Sequence, residues 1–292
     1  MIRILGTIFA ALLGLAFGSF LNVCLTRWPE GESIVSPRSH CRQCSHTLAW
    51  WENIPLFSSL ALRGRCRNCH SWIGWRYPLV ELAVATLWAI VAWNSLLFDL
   101  DPNLPATAPY YSLADAIGKM IFYWLLIALA VLDAENLWLP DWITLPGTAL
   151  GFLFAVFLSP LDDSWWFWGN TATQAVQREL LAISIAAGLI LLIRWVYWLI
   201  RRREGIGLGD AKLMALLAAW LGLPGALLAF GLAVVLGALV ALIMLVIPTR
   251  RTDKNVWALQ KLPLGTFLCI GGIISALWGQ PIIVAYRHWS GF

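Results

Sequence analysis

The sequence predicts an all-α polytopic membrane protein of about eight transmembrane helices, with a cytoplasmic four-cysteine loop domain after the first helix. Three observations predict it. The 292 residues are 60% hydrophobic and only 12% charged, with a mean hydropathy of +0.74, against about 45–50% apolar and about 25% charged residues in a soluble domain. Several apolar runs approach or exceed the ~20 residues that a helix rising ~1.5 Å per residue needs to cross hydrocarbon. Runs such as Leu180 to Ile200 are continuous, without the alternating polarity of a barrel strand.

Eight spans follow in order, at residues 2–26, 77–98, 114–133, 142–159, 178–200, 210–221, 226–247 and 262–286. The first begins with Arg3, as a signal peptide would, but its apolar stretch reaches Leu25, beyond the ~7–15 residues of a signal core. It is read as a spanning helix. The sixth is short and ends at Gly222-Leu-Pro-Gly225. A dozen residues make ~18 Å of helix against a ~30 Å core, so this span must be buried by neighbours, tilted, or longer than drawn. Clusters among the nineteen tryptophans, such as Trp165, Trp166 and Trp168, suit anchors at the membrane interface. The domains expected are the first helix (1–26), a metal-binding loop domain (27–76) and a transmembrane bundle (77–292).

Orientation follows from Arg and Lys, which gather in short cytoplasmic loops. The first connector carries Arg27, Arg38, Arg42, Arg63, Arg65, Arg67 and Arg76, the fifth Arg201 to Arg203, and the seventh Arg250, Arg251, Lys254 and Lys261. The second and fourth carry acids and no base. The odd connectors are therefore expected in the cytoplasm and both termini outside. These bases, which give the net charge of +4, serve orientation and membrane lipid, and no nucleic-acid partner is inferred.

Within the first connector stand Cys41-Arg-Gln-Cys44 and Cys66-Arg-Asn-Cys69. Two C-x-x-C turns can each present two thiolates to one ion, as in structural zinc sites. Two disulfides are the alternative, disfavoured in a reducing compartment. Cys41, Cys44, Cys66 and Cys69 are the expected zinc ligands, in a cage that also suits iron. His40, His46 and His70 read as solvated loop residues, and Cys24 and Cys269 as small core residues.

Carboxylates beside spanning helices are costly and so are functional candidates. Asp133, Glu135, Asp141 and Asp210 share the cytoplasmic side on this topology. Asp133 closes the third span, and Asp210 follows Gly205-Ile-Gly-Leu-Gly209, where small residues permit close approach. Asp is also a favoured N-cap, so Asp210 and Asp141 could each only cap a helix. Glu81 is read as paired with Arg76 or snorkelling, and Asp115 and Glu179 as outer-end residues. The chemistry that rewards two facing acids is aspartic proteolysis, in which one carboxylate is base and the other acid. No Ser/His pair or H-E-x-x-H motif competes.

Gly18-Ser-Phe-Leu-Asn-Val23, the two C-x-x-C turns, Trp50-Trp-Glu-Asn-Ile-Pro55, Leu62-Arg-Gly-Arg-Cys66, Arg76-Tyr-Pro-Leu-Val-Glu-Leu82 and Gly207-Leu-Gly-Asp210 resemble the bacterial type IV prepilin leader peptidase / N-methyltransferase family, over nearly the whole chain. The resemblance implies that Asp133, eight residues before the Asp of Pro140-Asp141, and Asp210 are the catalytic acids. Where the family often has a second Asp two residues after its first acid, this chain has Glu135. The implied activity is removal of short basic leaders from prepilins and prepilin-like secretion subunits at the cytoplasmic face of the bacterial inner membrane. N-methylation of the new terminus with S-adenosylmethionine is implied as a second activity, and no Gly-rich motif marks a donor site. A proton- or solute-coupled transporter is the competing function, since intramembrane acids and a broken helix also mark transport pathways.

Overall fold

The computed structural model describes residues 1–95, 108–158, 172–203, 207–246 and 262–290. Most of the second and fourth connectors, Trp165, Trp166 and Trp168, and the bases Arg250, Arg251, Lys254 and Lys261 lie outside them. The helices are α1 (Ile2–Arg27), the short α2 (Phe57–Ala61), α3 (Arg76–Asn94), α4 (Ala108–Asn136), α5 (Asp141–Leu158), α6 (Ala172–Arg201), α7 (Leu208–Val246) and α8 (Leu264–Ser290). Among the described residues all but α2 are long and apolar enough to cross a membrane, which makes seven. No strand occurs among these residues, only two isolated bridges.

The chain forms two compact units, Met1–Ala128 and Leu129–Phe292. In the first, α1 and α3 pack antiparallel, since partners descend on α3 as they ascend on α1. Arg3 donates to the Trp93 carbonyl (2.7 Å) and Asn22 to that of Tyr77 (2.9 Å). Between these lie Gly14 and Gly18, at the four-residue spacing that lets helix backbones touch. A Cβ on Gly14 would stand 2.7 Å from Ala85 Cα, and one on Gly18 2.7 Å from Glu81 Cα. The outer face of α1 presents Leu5, Ile8, Phe9 and Leu12, a surface suited to lipid.

In the second unit, the sixth and seventh expected spans form the single element α7, broken at Gly222 (φ 67°, ψ 174°) with Pro224 just beyond. Only glycine enters that region without strain. The contacts on either side show that the chain reverses there. Lys212 pairs with Asp141 at the start of α5, while Trp220 stacks on Phe154 and donates to the Gly147 carbonyl, so the first arm runs parallel to α5. On the second arm Gly225 meets Ser275, Ala229 meets Gly271 and Gly237 faces Phe267, so that arm runs antiparallel to α8. The short first arm is tolerated because neighbours bury it, with Leu213, Met214, Leu216 and Leu217 fully enclosed.

The tightest of these approaches supplies a stability prediction. A Cβ on Gly271 would lie 2.3 Å from the Ala229 carbonyl oxygen, a backbone atom that cannot yield without moving the helix. Overpacking costs about 1–3 kcal/mol or more. Gly271→Ala should lower the melting temperature in detergent by several degrees, whereas Gly188→Ala, with nothing within 4 Å of its added methyl, should leave it unchanged or raise it. Equal behaviour of the two would refute this packing.

Candidate active site and cysteine cluster

Asp133 lies in the last turn of α4 and Asp210 in the first turn of α7, and only 6% and 8% of their surfaces reach solvent. The head of α8 closes on Asp133. The Thr266 N–H donates to Asp133 Oδ2 at 2.7 Å, and Thr266 Oγ1 lies 3.2 Å from that oxygen and 3.0 Å from the Ala130 carbonyl. The first N–H groups of a helix have no partner within it, and its positive end favours a carboxylate. Gly265 makes the approach possible, since a Cβ there would stand 2.9 Å from both Asp133 Cγ and Oδ2.

Asp210 accepts the N–H of Gly207, just before α7, at 3.1 Å through Oδ2. That bond is the returning half of a capping box, so Asp210 is not the N-cap weighed from sequence but the third helical residue. Capping gains only ~1 kcal/mol, and burying a carboxylate that is not fully paired costs more than that. A cap alone is a weak reason to bury it. Leu139 joins the two acids spatially, its side chain lying against both Gly209 and Gly265.

Two other acids, Asp141 and Glu81, depart from their sequence readings. Asp141 begins α5 and is more exposed. The N–H groups of Ile143 and Thr144 turn to the Pro140 carbonyl, and the Asp141 carboxylate meets Lys212 Nζ at 2.5 Å instead of capping. Glu81 does not take Arg76. Its Oε2 accepts the Leu56 N–H at 2.8 Å, while Arg76 Nη2 donates to Thr26 Oγ1 at 2.6 Å. Glu179 pairs with its neighbour Arg178. Sequence reasoning missed Thr266, Gly265, Leu139 and Lys212; a Pro-Leu-Gly-Thr run opening the last span was the available signal.

In the first unit the two C-x-x-C turns repeat one local geometry. Ser45 and His70 each follow the second cysteine with positive φ (56° and 54°), and Ser45 N bonds to Cys41 O as His70 N does to Cys66 O. Each turn is closed by one bridge, His40 with Thr47 and Arg65 with Trp72. The four sulfurs lie within 4.8 Å of one another, with Cys41 to Cys69 at 3.8 Å and Cys44 to Cys66 at 3.9 Å. A tetrahedral ion bonded at ~2.3 Å sets its sulfurs about 3.8 Å apart, whereas a disulfide needs about 2.05 Å. The cluster therefore fits a four-thiolate metal and not two disulfides.

Hydrogen bonds prepare two of the thiols, Cys41 and Cys69. The Ser71 hydroxyl, 3.0 Å from Cys69 Sγ, and the Ser71 N–H hold Cys69 below the usual thiol range. Partial burial opposes ionisation of Cys41, but the Cys44 and Gln43 N–H groups, with Cys66 and Ser71, outweigh it and bring that thiol down to about 6. His40 and His46 turn instead to the Arg38 carbonyl and Glu52.

The Bacterial Peptidase A24 N-terminal domain matches residues 12–95, which hold the cluster, and the Type IV leader peptidase family matches residues 120–242, which hold both acids. A protein of Pseudomonas putida described as a prepilin leader peptidase/N-methyltransferase is 34% identical over 97% of this chain and 94% of its own length. The chain belongs to the type IV leader peptidase family. Family members of the same description from Pseudomonas aeruginosa (35% identity, 96% of this chain and 93% of theirs) and Burkholderia pseudomallei strain 1026b (35%, 94% and 85%) agree. No solved structure matches the chain. With seven apolar helices among its described residues, this leader peptidase is a multi-pass inner-membrane protein.

Proposed function

We propose that the chain removes the leader peptides of type IV prepilins and related secretion subunits with Asp133 and Asp210, at the cytoplasmic face, and then methylates the exposed N-terminus. The observation that carries the reading is the convergence of these two buried acids, held by Thr266 and Gly207. In both, Oδ2 takes a bond from a backbone N–H that fixes the carboxylate's position. Two carboxylates that share a site hold one proton between them. The ionised one takes a proton from water as it attacks the scissile carbonyl, and the protonated one supports the oxyanion and then gives its proton to the leaving amine. The arginines of the first connector and of the end of α6 support the cytoplasmic orientation.

Cys41, Cys44, Cys66 and Cys69 hold a structural zinc that fixes the loop. S-adenosylmethionine supplies a methyl group from its sulfonium: the neutral terminal amine forms the N–C bond as the C–S bond breaks, and the electron pair stays on sulfur. The transporter reading finds no support in the descriptions of the relatives.

The test is incubation of purified protein with a leader-bearing precursor and the methyl donor, followed by mass spectrometry. Loss of the leader and gain of one methyl are expected, and an untouched set of precursors would overturn the reading. Around the acids a graded effect is expected. Thr266→Val keeps the backbone donor and should lower kcat a few-fold, whereas Gly265→Ala forces the Asp133 carboxylate aside. A misplacement near 1 Å can cost about a hundredfold. Gly265→Ala should therefore lower kcat the more severely while KM stays nearly constant, and the reverse order would refute the assigned contacts.

A further inference from the structure

Two segments singled out in the sequence, Gly18 to Val23 and Trp50 to Pro55, supply neither an acid to the pair nor a thiol to the cysteine cluster. They are far apart in the chain yet meet in space. Buried Glu81 ties them together: its backbone packs on Gly18, its carboxylate holds the Leu56 N–H next to Pro55, and Ser19 hydrogen-bonds to it. Between the segments lies a hollow of about 300 Å³, lined by Ser19, Phe20, Val23, Asn53 and Pro55. A second hollow of about 260 Å³ shares Phe20, Val23, Ser39 and Asn53 and extends to Ile34 and Arg38. The first is at the lower end of the size of a small-molecule site, and the second adjoins it through their shared lining.

The lining is chemically mixed. Where the two hollows meet, the half-exposed Phe20 ring offers an apolar face for a flat base, and the Asn53 amide offers both a donor and an acceptor to its edge. Ser19 and Ser39 add hydroxyls along the wall. In the second hollow the Arg27 guanidinium is engaged by the Ser33 and Pro37 carbonyls at 2.7 and 2.6 Å, which leaves exposed Arg38 as the cation for a carboxylate. A ligand with an aromatic base and, set apart from it, an amino-acid carboxylate matches this lining.

We propose that this groove, between α1 and the Trp50 to Pro55 segment, binds S-adenosylmethionine. The proposal rests on the methyl-transfer reading and adds the donor's place. The experiment is equilibrium binding of S-adenosylmethionine and S-adenosylhomocysteine to purified full-length protein in detergent, comparing wild type with Asn53→Leu and Val23→Trp. Loss of a hydrogen bond or of space at the groove should weaken binding about tenfold or more, with precursor cleavage and metal content unchanged. If wild type binds and both variants bind equally well, the groove is not the site, although methyl transfer stands. If wild type binds neither compound, the methyl-transfer reading fails, and the proposal with it. Should a variant lose its metal, photo-crosslinking of the donor to wild type decides: label on peptides holding residues 16–23 or 53–55 supports the groove, and label confined elsewhere overturns it.

Discussion

Asp133→Asn and Asp210→Asn are each expected to reduce precursor cleavage by about a thousandfold or more while the protein remains folded. Asn is nearly the same shape, and its amide oxygen can still accept the Thr266 N–H at position 133 or the Gly207 N–H at position 210. What it cannot do is accept or release a proton at neutral pH. General acid and base catalysis contribute about 10²–10⁴-fold each, and in a shared-proton pair neither acid works alone. The double variant should therefore be scarcely worse than either single one, as happens for residues that act as a unit. The measurement is kcat for leader removal, with the melting temperature as the folding control. Active Asn variants would remove the acids from the mechanism, and inactive but unfolded ones would move the decision to Asp133→Glu and Asp210→Glu, which keep a proton and should recover part of the rate only if the acids are catalytic.

Removal of the metal is expected to have the largest effect on structure. A closed thiolate zinc site contributes on the order of 10–16 kcal/mol to folding of its own segment, and the loop holds little else. Its helices are a single turn at Trp50–Asn53 and the five residues of α2, and among the residues of the cluster only Cys66 is buried. Freshly purified protein should carry about one zinc per chain. Chelation should release it and open Arg42, Arg63, Arg65 and Arg67, which lie in or beside the two turns, to trypsin. Cys66→Ser, which removes the most enclosed sulfur, should reproduce the sensitivity without chelator. Protein free of metal yet equally resistant would show that the loop holds itself together.

Both predictions rest on residues visible in the sequence, but to different depths. The cysteine cluster is legible because each pair of ligands is local: a C-x-x-C turn sets two sulfurs within a few residues, and only the meeting of two such turns is left to the fold. The acids are legible as costly charges beside apolar runs, and family resemblance selects Asp133 and Asp210 from among them. Their supports are not. Thr266 lies 133 positions from Asp133, and no periodicity along the chain announces that the head of the last helix meets the end of α4. The cap reading of Asp141 was reasonable from Pro140-Asp-Trp, and it failed because Lys212, from another helix, supplied a charged partner. Glu81 was drawn to Arg76 by nearness in sequence, while a backbone N–H from a distant loop held it.

By itself the sequence determined that this chain lives in a membrane, where its spans run, that four thiols stand ready for a metal, and which acids are candidates. Composition and local spacing suffice for these, because the bilayer tests each run of residues separately and a short turn fixes its own ligands. Tertiary structure alone decided that Gly222 turns two expected spans into a hairpin, that Gly265 and Thr266 seat one acid, and that two remote segments enclose a groove. Each of these depends on which helix backbones approach closely, a matter of pairwise packing between residues that the linear order leaves far apart.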